Sequence, residues 1–369
     1  MLHSRAVPGR LLLAAPLALA GLWACAALWI DGPAARPLAA ALVAAYAGAS
    51  AFALARIRPF GRALAVAAVL FLAVLAWWLS IEPRNDRRWD PSVARLARAE
   101  IRGDLVTIHN VRNFDYRSET DFDERWETRT YDLSQLVGAD LSVTYWGSPW
   151  IAHTIMSWLF ADAPPLAISI ETRREVGEGY SALLGFFRQF ELYYVVADER
   201  DLIRLRTSYR PGEDVYLFHL RTPVARARAV LLDYLRAIDD LAEHPRWYNA
   251  LTLNCTTAIR DHVRNVAPRT TFDWRILVNG KLPELAYERG TIDTSLPLAE
   301  LMRRSRINER ARAADDAPDF SRRIREGLPG FPPELLPPPA EDGARASAAT
   351  PGAAARAGSR ATRRRRQTR

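Results

Sequence analysis

Leu141-Ser142-Val143-Thr144-Tyr145 alternates apolar and polar side chains over β-branched and aromatic residues, the period of two that belongs to a strand rather than a helix. Upstream, Leu105-Val106-Thr107-Ile108 and Thr128-Arg129-Thr130-Tyr131-Asp132-Leu133 share that character. Downstream, Ile151 to Phe160, Leu166 to Glu171, Leu192 to Val196 and Val215 to Leu220 continue it. The period then changes. Val224 to Leu241 puts Leu231, Tyr234, Leu235, Ile238 and Leu241 on one helical face, and Cys255 to Val266 reads as a second helix behind an Asn254 cap. Strands followed by helices predict an α+β fold. Pro91 to Arg102 reads as a short amphipathic helix ahead of the first strand.

Working back to the N-terminus, Leu11 to Ile30 is almost wholly apolar, long enough to cross roughly 30 Å of hydrocarbon as a helix of about 20 residues. Arg5 and Arg10 before it and small residues within it fit a signal peptide, but further apolar runs follow at Pro37 to Ala55 and Ala63 to Ser80. Three in succession predict a membrane anchor of three transmembrane helices over residues 1–82. Cys25, inside the first run, reads as a small apolar span residue. Arg5 and Arg10 flank the first run and Arg56, Arg58 and Arg62 fill the second loop, whereas the first loop holds only Arg36. The positive-inside rule then puts the N-terminus and second loop in the cytoplasm, and the odd number of spans carries the main domain into the periplasm of a bacterial inner membrane protein. Arg84, Arg87 and Arg88 count against that orientation.

The chain has 50 Lys+Arg against 42 Asp+Glu, but much of the excess sits in Arg363, Arg364, Arg365, Arg366 and Arg369. Without basic patches interleaved with aromatic platforms, no nucleic acid partner is expected. From residue 307 the composition turns to Arg, Ala, Pro and Gly, with Pro337-Pro338-Pro339. Residues 307–369 therefore read as a disordered basic tail, for which anionic lipid is the fitting partner. Between anchor and tail, 83–306 is one sizeable domain. Two cysteines, Cys25 and Cys255, make no disulfide framework, and no cofactor or metal is expected.

Cys255 lies in Leu253-Asn254-Cys255-Thr256-Thr257-Ala258, where extended chain passes into a helix. Free backbone N–H groups and the positive dipole end stabilise thiolate there. The plainer reading is a buried small hydrophobe, and position alone favours it. A thiol nucleophile needs a base. His3 falls on the far side of the membrane, and His262 is two turns further along the same helix, about 10 Å away. His109, His153 and His219 lie in strand-like runs and His244 in a loop. Spacing selects none of them.

The region from about Asn113 to Val266 resembles the Lnb N-terminal periplasmic domain family. The likeness runs through Asn113-Phe114-Asp115-Tyr116, Ala152-His153-Thr154, Ser169-Ile170-Glu171-Thr172-Arg173-Arg174-Glu175, Phe187-Arg188-Gln189, Asp198-Glu199-Arg200-Asp201 and Asn254-Cys255-Thr256-Thr257. The layout is similar to permuted papain-like thiol enzymes, an antiparallel sheet plus helices in which a strand-borne His precedes a helix-borne Cys. The resemblance implies Cys255 as nucleophile and His153 as base. Glu171 would orient the imidazole, or else be an ion-paired strand carboxylate beside Arg173 and Arg174. Arg188 would hold a substrate anion or a structural ion pair, the second being the better fit.

The family's bacterial enzymes attach an acyl chain to a lipoprotein amine. The resemblance thus implies a membrane-anchored thiol acyltransferase or hydrolase acting on lipoprotein or lipid esters through a cysteine thioester. A cell-wall peptidase or amidase and a non-catalytic envelope binding module are the alternatives.

Overall fold

The computed structural model describes residues 7–268 and 271–335. The chain opens with helices α1 (Val7–Ile30), α2 (Arg36–Arg56) and α3 (Phe60–Leu79). Two of them, α2 and α3, are long and apolar enough to cross a membrane, and little of either is buried. Their apolar surfaces therefore face outward, which in water would be unfavourable along the whole helix. The side chains of α1 are described only from Ala15, and the apolar stretch Ala15–Ile30 is shorter than a full crossing. The side chains of the first of the three expected spans are thus described only in part. Ala24 and Leu28 of α1 pack against Val74 of α3, with Val43 and Tyr46 of α2 alongside.

The domain that follows contains strands β1 (Arg98–Arg102), β2 (Leu105–Arg112), β3 (Asp115–Tyr116), β4 (Phe122–Asp123), β5 (Trp126–Asp132), β6 (Leu136–Trp146), β7 (Ala152–Phe160), β8 (Leu166–Arg173) and β9 (Glu191–Asp198). Helix α4 (Glu199–Arg204), strand β10 (Glu213–His219), and helices α5 (Val224–Glu243), α6 (Cys255–Val266), α7 (Leu282–Glu288), α8 (Leu298–Ser305), α9 (Asn308–Ala313) and α10 (Phe320–Arg323) complete it. Eight strands form one sheet in the order β1-β2-β9-β8-β7-β6-β10, with β5 on β2, and β3 and β4 pair separately. The fold is α+β, as expected. The sheet is mixed rather than wholly antiparallel, because β2 meets β9 in parallel.

Every residue of β7 is buried, which follows from cover on both faces. On one face Met156, Trp158 and Phe160 join the core built by Leu231, Tyr234, Leu235 and Ile238 of α5, and the Trp158 indole donates to the Ala227 carbonyl at 3.0 Å. On the other face, Ile155 packs with Tyr193, Val195 and Leu202, and Leu159 packs with Ile307, Phe320 and Ile324.

Two expectations are corrected. Pro91 to Arg102 is not a helix: a short 3-10 turn, Pro91–Val93, gives way to β1. Edge pairing with β2, from Arg98 opposite His109 to Arg102 opposite Leu105, overrides the weak helical pattern. Gly103, in the left-handed region at φ 66°, makes the tight turn between the two strands.

The tail does not begin at 307. Residues 307–335 fold onto the sheet, burying Ile307, Ala311, Phe320, Ile324 and Leu328. Arg325 is fully buried and clamps Asp140 of β6 at 2.8 Å and Glu199 of α4 at 2.6 Å. Its composition reads as solvated because the few apolar residues are widely spaced and the charge that goes inside has its partners far away in sequence. Residues 336–369 lie outside the described residues.

Candidate active site

Cys255 is the first residue of α6. The Asn254 side chain accepts from the Thr256 and Thr257 amides at 3.0 Å each, and the Thr257 hydroxyl accepts from the Asn254 amide at 2.8 Å. This reciprocal capping box fixes the angle at which the chain enters the helix and so aims the Cys255 side chain. Cys255 as a whole is 6% exposed.

His153 is the second residue of β7. Ile155 pairs with Ser169 across β7 and β8, and the same register carried two residues further sets His153 opposite Glu171. The alternation of β8 brings Ser169 and Glu171 to the face that carries the imidazole. His153 Nε2 lies 2.6 Å from Ser169 Oγ, whose hydroxyl donates to Glu171 Oε1 at 2.8 Å; Nε2 itself is 3.4 Å from that oxygen. His153 and Cys255 act on each other's titration through charge and side-chain hydrogen bonding. Because Nε2 is committed to Ser169 and Glu171, the ring offers Nδ1 to the sulfur.

Glu171 does pair with arginine, but not with the neighbours expected. Its partner is Arg206, which donates to Glu171 at 3.0 Å and to Glu213 at 3.2 Å. Arg206 sits in a π-helical turn, Leu205–Tyr209, that continues α4; such turns redirect side chains. Arg173 instead donates to the carbonyls of Val93 and Ala94 and lies over Trp89. Arg188 donates to the Ile81 carbonyl, stacks over Trp78 and feels the charge of Asp31.

The electrostatics follow from these contacts. Burial alone would push the Cys255 thiol up, yet the adjacent imidazolium and hydrogen bonds from His153 and Thr154 bring it down to about 6. Burial and the Arg206 charge press His153 toward the neutral form, but the hydrogen bond and charge of Cys255 and the Glu171 carboxylate prevail and raise it. Glu171, despite burial, is held well below the usual carboxylate range by His153 and Arg206. The three directions agree on a thiolate, an imidazolium and a carboxylate near neutral pH.

Asn279, which sequence reasoning missed, completes the cluster. Its Oδ1 accepts from the Ala152 amide at 2.7 Å, so its Nδ2 must face the other way, 3.0 Å from Thr256 Oγ1 and 3.6 Å from Cys255 Sγ. Gly280 makes this approach possible, since a Cβ there would lie 2.5 Å from the Pro149 carbonyl oxygen. The Asn-Gly pair was a legible turn signal, but nothing local ties it to Cys255. Ser169 stood two residues before Glu171 within a quoted motif, without an assigned role.

The other histidines are held elsewhere. His109 contacts Thr128 and Glu100, His219 contacts Asp140, His244 contacts Asp240, and His262 lies between Asp233 and Tyr194. His3 lies outside the described residues. Among the described residues, no group of three or more His, Cys, Asp or Glu is placed to hold a metal.

Fold and site together define an α+β domain carrying a buried Cys–His–carboxylate cluster behind helices able to span a membrane. Residues 122–280 match the Lnb N-terminal periplasmic domain family, so the resemblance holds for that segment, which includes His153, Ser169, Glu171, Arg206, Cys255 and Asn279. No curated protein and no solved structure matches the chain.

Proposed function

We propose that this protein is a thiol acyltransferase or hydrolase of the bacterial inner membrane, with α1, α2 and α3 as spans and the main domain in the periplasm. It acts on lipid or lipoprotein esters. The observation that carries the reading is the hydrogen-bonded row His153, Ser169, Glu171 set against Cys255, with its depressed thiol and raised imidazole. A structural cysteine in an apolar core has no use for either shift.

In this reading the Cys255 thiolate attacks an ester carbonyl and forms a tetrahedral oxyanion. Asn279 Nδ2–H stabilises that charge, since the Thr256 and Thr257 amides at the start of α6 are taken by Asn254. Collapse breaks the ester C–O bond, and the imidazolium gives its proton to the departing alkoxide, leaving an acyl thioester on Cys255. An amine or water then attacks the thioester while neutral His153 takes its proton, and the thiolate leaves. Ser169 and Glu171 hold the ring with Nδ1 toward the sulfur throughout. An amine acceptor makes the protein a transferase, water a hydrolase.

The test is to incubate the full chain in vesicles with alkyne-acyl phospholipid. A hydroxylamine-sensitive label on Cys255, absent from Cys255→Ser, is the expected result. No acyl adduct, together with release of peptides from cell-wall fragments, would overturn it in favour of an amidase.

A further inference from the structure

The end of the sheet that carries the site is also the end tied to the anchor. His153 opens β7, Glu171 nearly closes β8, and Glu191, opposite Arg173, opens β9. Just before β9, Gln189 donates to Asp31 Oδ1 at 2.7 Å and to the Ile30 carbonyl at 3.3 Å, and Asp31 also accepts from the Trp78 indole at 2.6 Å. The Ile81 carbonyl accepts from Arg188 and, at 3.1 Å, from the Trp247 indole. Loops 176–190 and 247–253 are therefore pinned to the same ends of α1 and α3. Trp29, Trp77 and Trp78 mark that level, as aromatic residues do at a membrane interface.

These loops carry large apolar side chains that stand exposed among the described residues: Tyr180, Leu183, Phe186 and Leu251, of which Leu183 is 66% exposed. The loops are joined, the Ala250 amide donating to the Gly185 carbonyl at 2.8 Å. By chain reach, Phe186 lies within about 7 Å of Arg188 and Leu251 within about 14 Å of Trp247. Both thus stand near the ends of α1 and α3 to which these loops are pinned. Exposed apolar groups in one place mark a contact surface, and continuity with the anchor identifies the occupant.

We propose that Leu183, Phe186 and Leu251 enter the lipid bilayer as a second membrane contact, made by loops, holding the mouth of the Cys255 site at the depth of lipid ester groups. The inference rests on the membrane-anchored reading of α2 and α3. It does not require that the chemistry be acyl transfer.

The experiment places an environment-sensitive fluorophore on single cysteines (Leu183→Cys, Phe186→Cys or Leu251→Cys) in the full chain carrying Cys25→Ala and Cys255→Ser. The protein is reconstituted in phosphatidylethanolamine and phosphatidylglycerol vesicles containing nitroxide-labelled lipid. Val69→Cys, on the outward face of α3, reports the anchor, and Asp162→Cys, in the turn at the opposite end of β7, reports solvent. Quenching at 183, 186 and 251 approaching that at 69, with 162 unaffected, is the expected result. If those three behave like 162 while 69 is quenched, the inference is overturned. If 69 is not quenched, the anchor reading fails and takes the inference with it.

An independent readout uses Leu183→Glu with Phe186→Glu. Turnover of bilayer lipid is expected to fall about tenfold or more, with alkylation of Cys255 by a soluble reagent unchanged. Equal loss of both would point to a damaged fold and count against the proposal.

Discussion

Asn279 Nδ2 stands 3.6 Å from Cys255 Sγ, and the carboxamide cannot turn away because its oxygen is held by the Ala152 amide at 2.7 Å. A donor fixed beside the nucleophile, and tied by that bond to the strand that carries the base, is where an oxyanion hole has to be. Asn279→Ala is expected to lower kcat by roughly 10²–10³-fold, with Cys255 still alkylated at nearly the normal rate. Comparing turnover with alkylation checks it; parallel loss of both would make Asn279 a packing residue.

Gly280 is expected to tolerate no side chain. A Cβ would meet three backbone atoms of Pro149, Trp150 and Ile151 between 2.5 and 2.8 Å, and backbone cannot yield as a flexible side chain does. Gly280→Ala should therefore displace Asn279 and reproduce the kinetic loss of Asn279→Ala, with a lowered Tm besides. Wild-type kinetics in this variant would mean that the turn is free to move.

The pH profile has a defined sign. Cys255 titrates at about 6 and must be thiolate, so activity is lost as pH falls through that value. His153 is raised and must be imidazolium to protonate the leaving group, so activity is lost again as pH rises through its pKa. A bell with its acid limb near 6 should result, its apparent values belonging to the pair. Alkylation should show the acid limb alone. In His153→Ala, burial remains without the opposing charge, and the alkylation midpoint should move above that of an ordinary thiol.

Glu171 and Arg206 hold each other in opposition around His153. In Glu171→Gln the Arg206 charge remains, which lowers the imidazole pKa, so the alkaline limb should move to lower pH and kcat should fall on the order of a hundredfold. In Arg206→Met the limb should move to higher pH, because a repelling charge is gone. Limbs that move together, or not at all, would remove Glu171 from the positioning role.

Arg325 is buried against two carboxylates. Arg325→Met leaves Glu199 without its partner in the interior, at a cost of about 3–5 kcal/mol, and a chain ending at residue 306 should not fold at all. Denaturant unfolding of both, in detergent, checks this. A stable chain lacking 307–335 would restore the reading of that segment as a tail.

Much of the fold was legible because it is written locally. Period-two alternation located seven strands, a helical stripe located α5, and Asn254 marked the start of α6 at the residue where it begins. The apolar runs announced helices able to span a membrane. Cys255 and His153 stood out through a resemblance, and Glu171 through its place on the next strand.

What only the tertiary structure decided are the partners. Arg206 reaches Glu171 across 35 residues, Asn279 reaches Cys255 across 24, and Arg325 reaches Asp140 across 185. No local pattern encodes such pairs, because a side chain's charge and period are properties of its own neighbourhood, whereas its partner is set by sheet register and by the order in which strands lie. For the same reason the segment after Ile307 read as solvated and yet folds: its apolar residues are too sparse to show a period, but a face of the sheet supplies the surface that buries them.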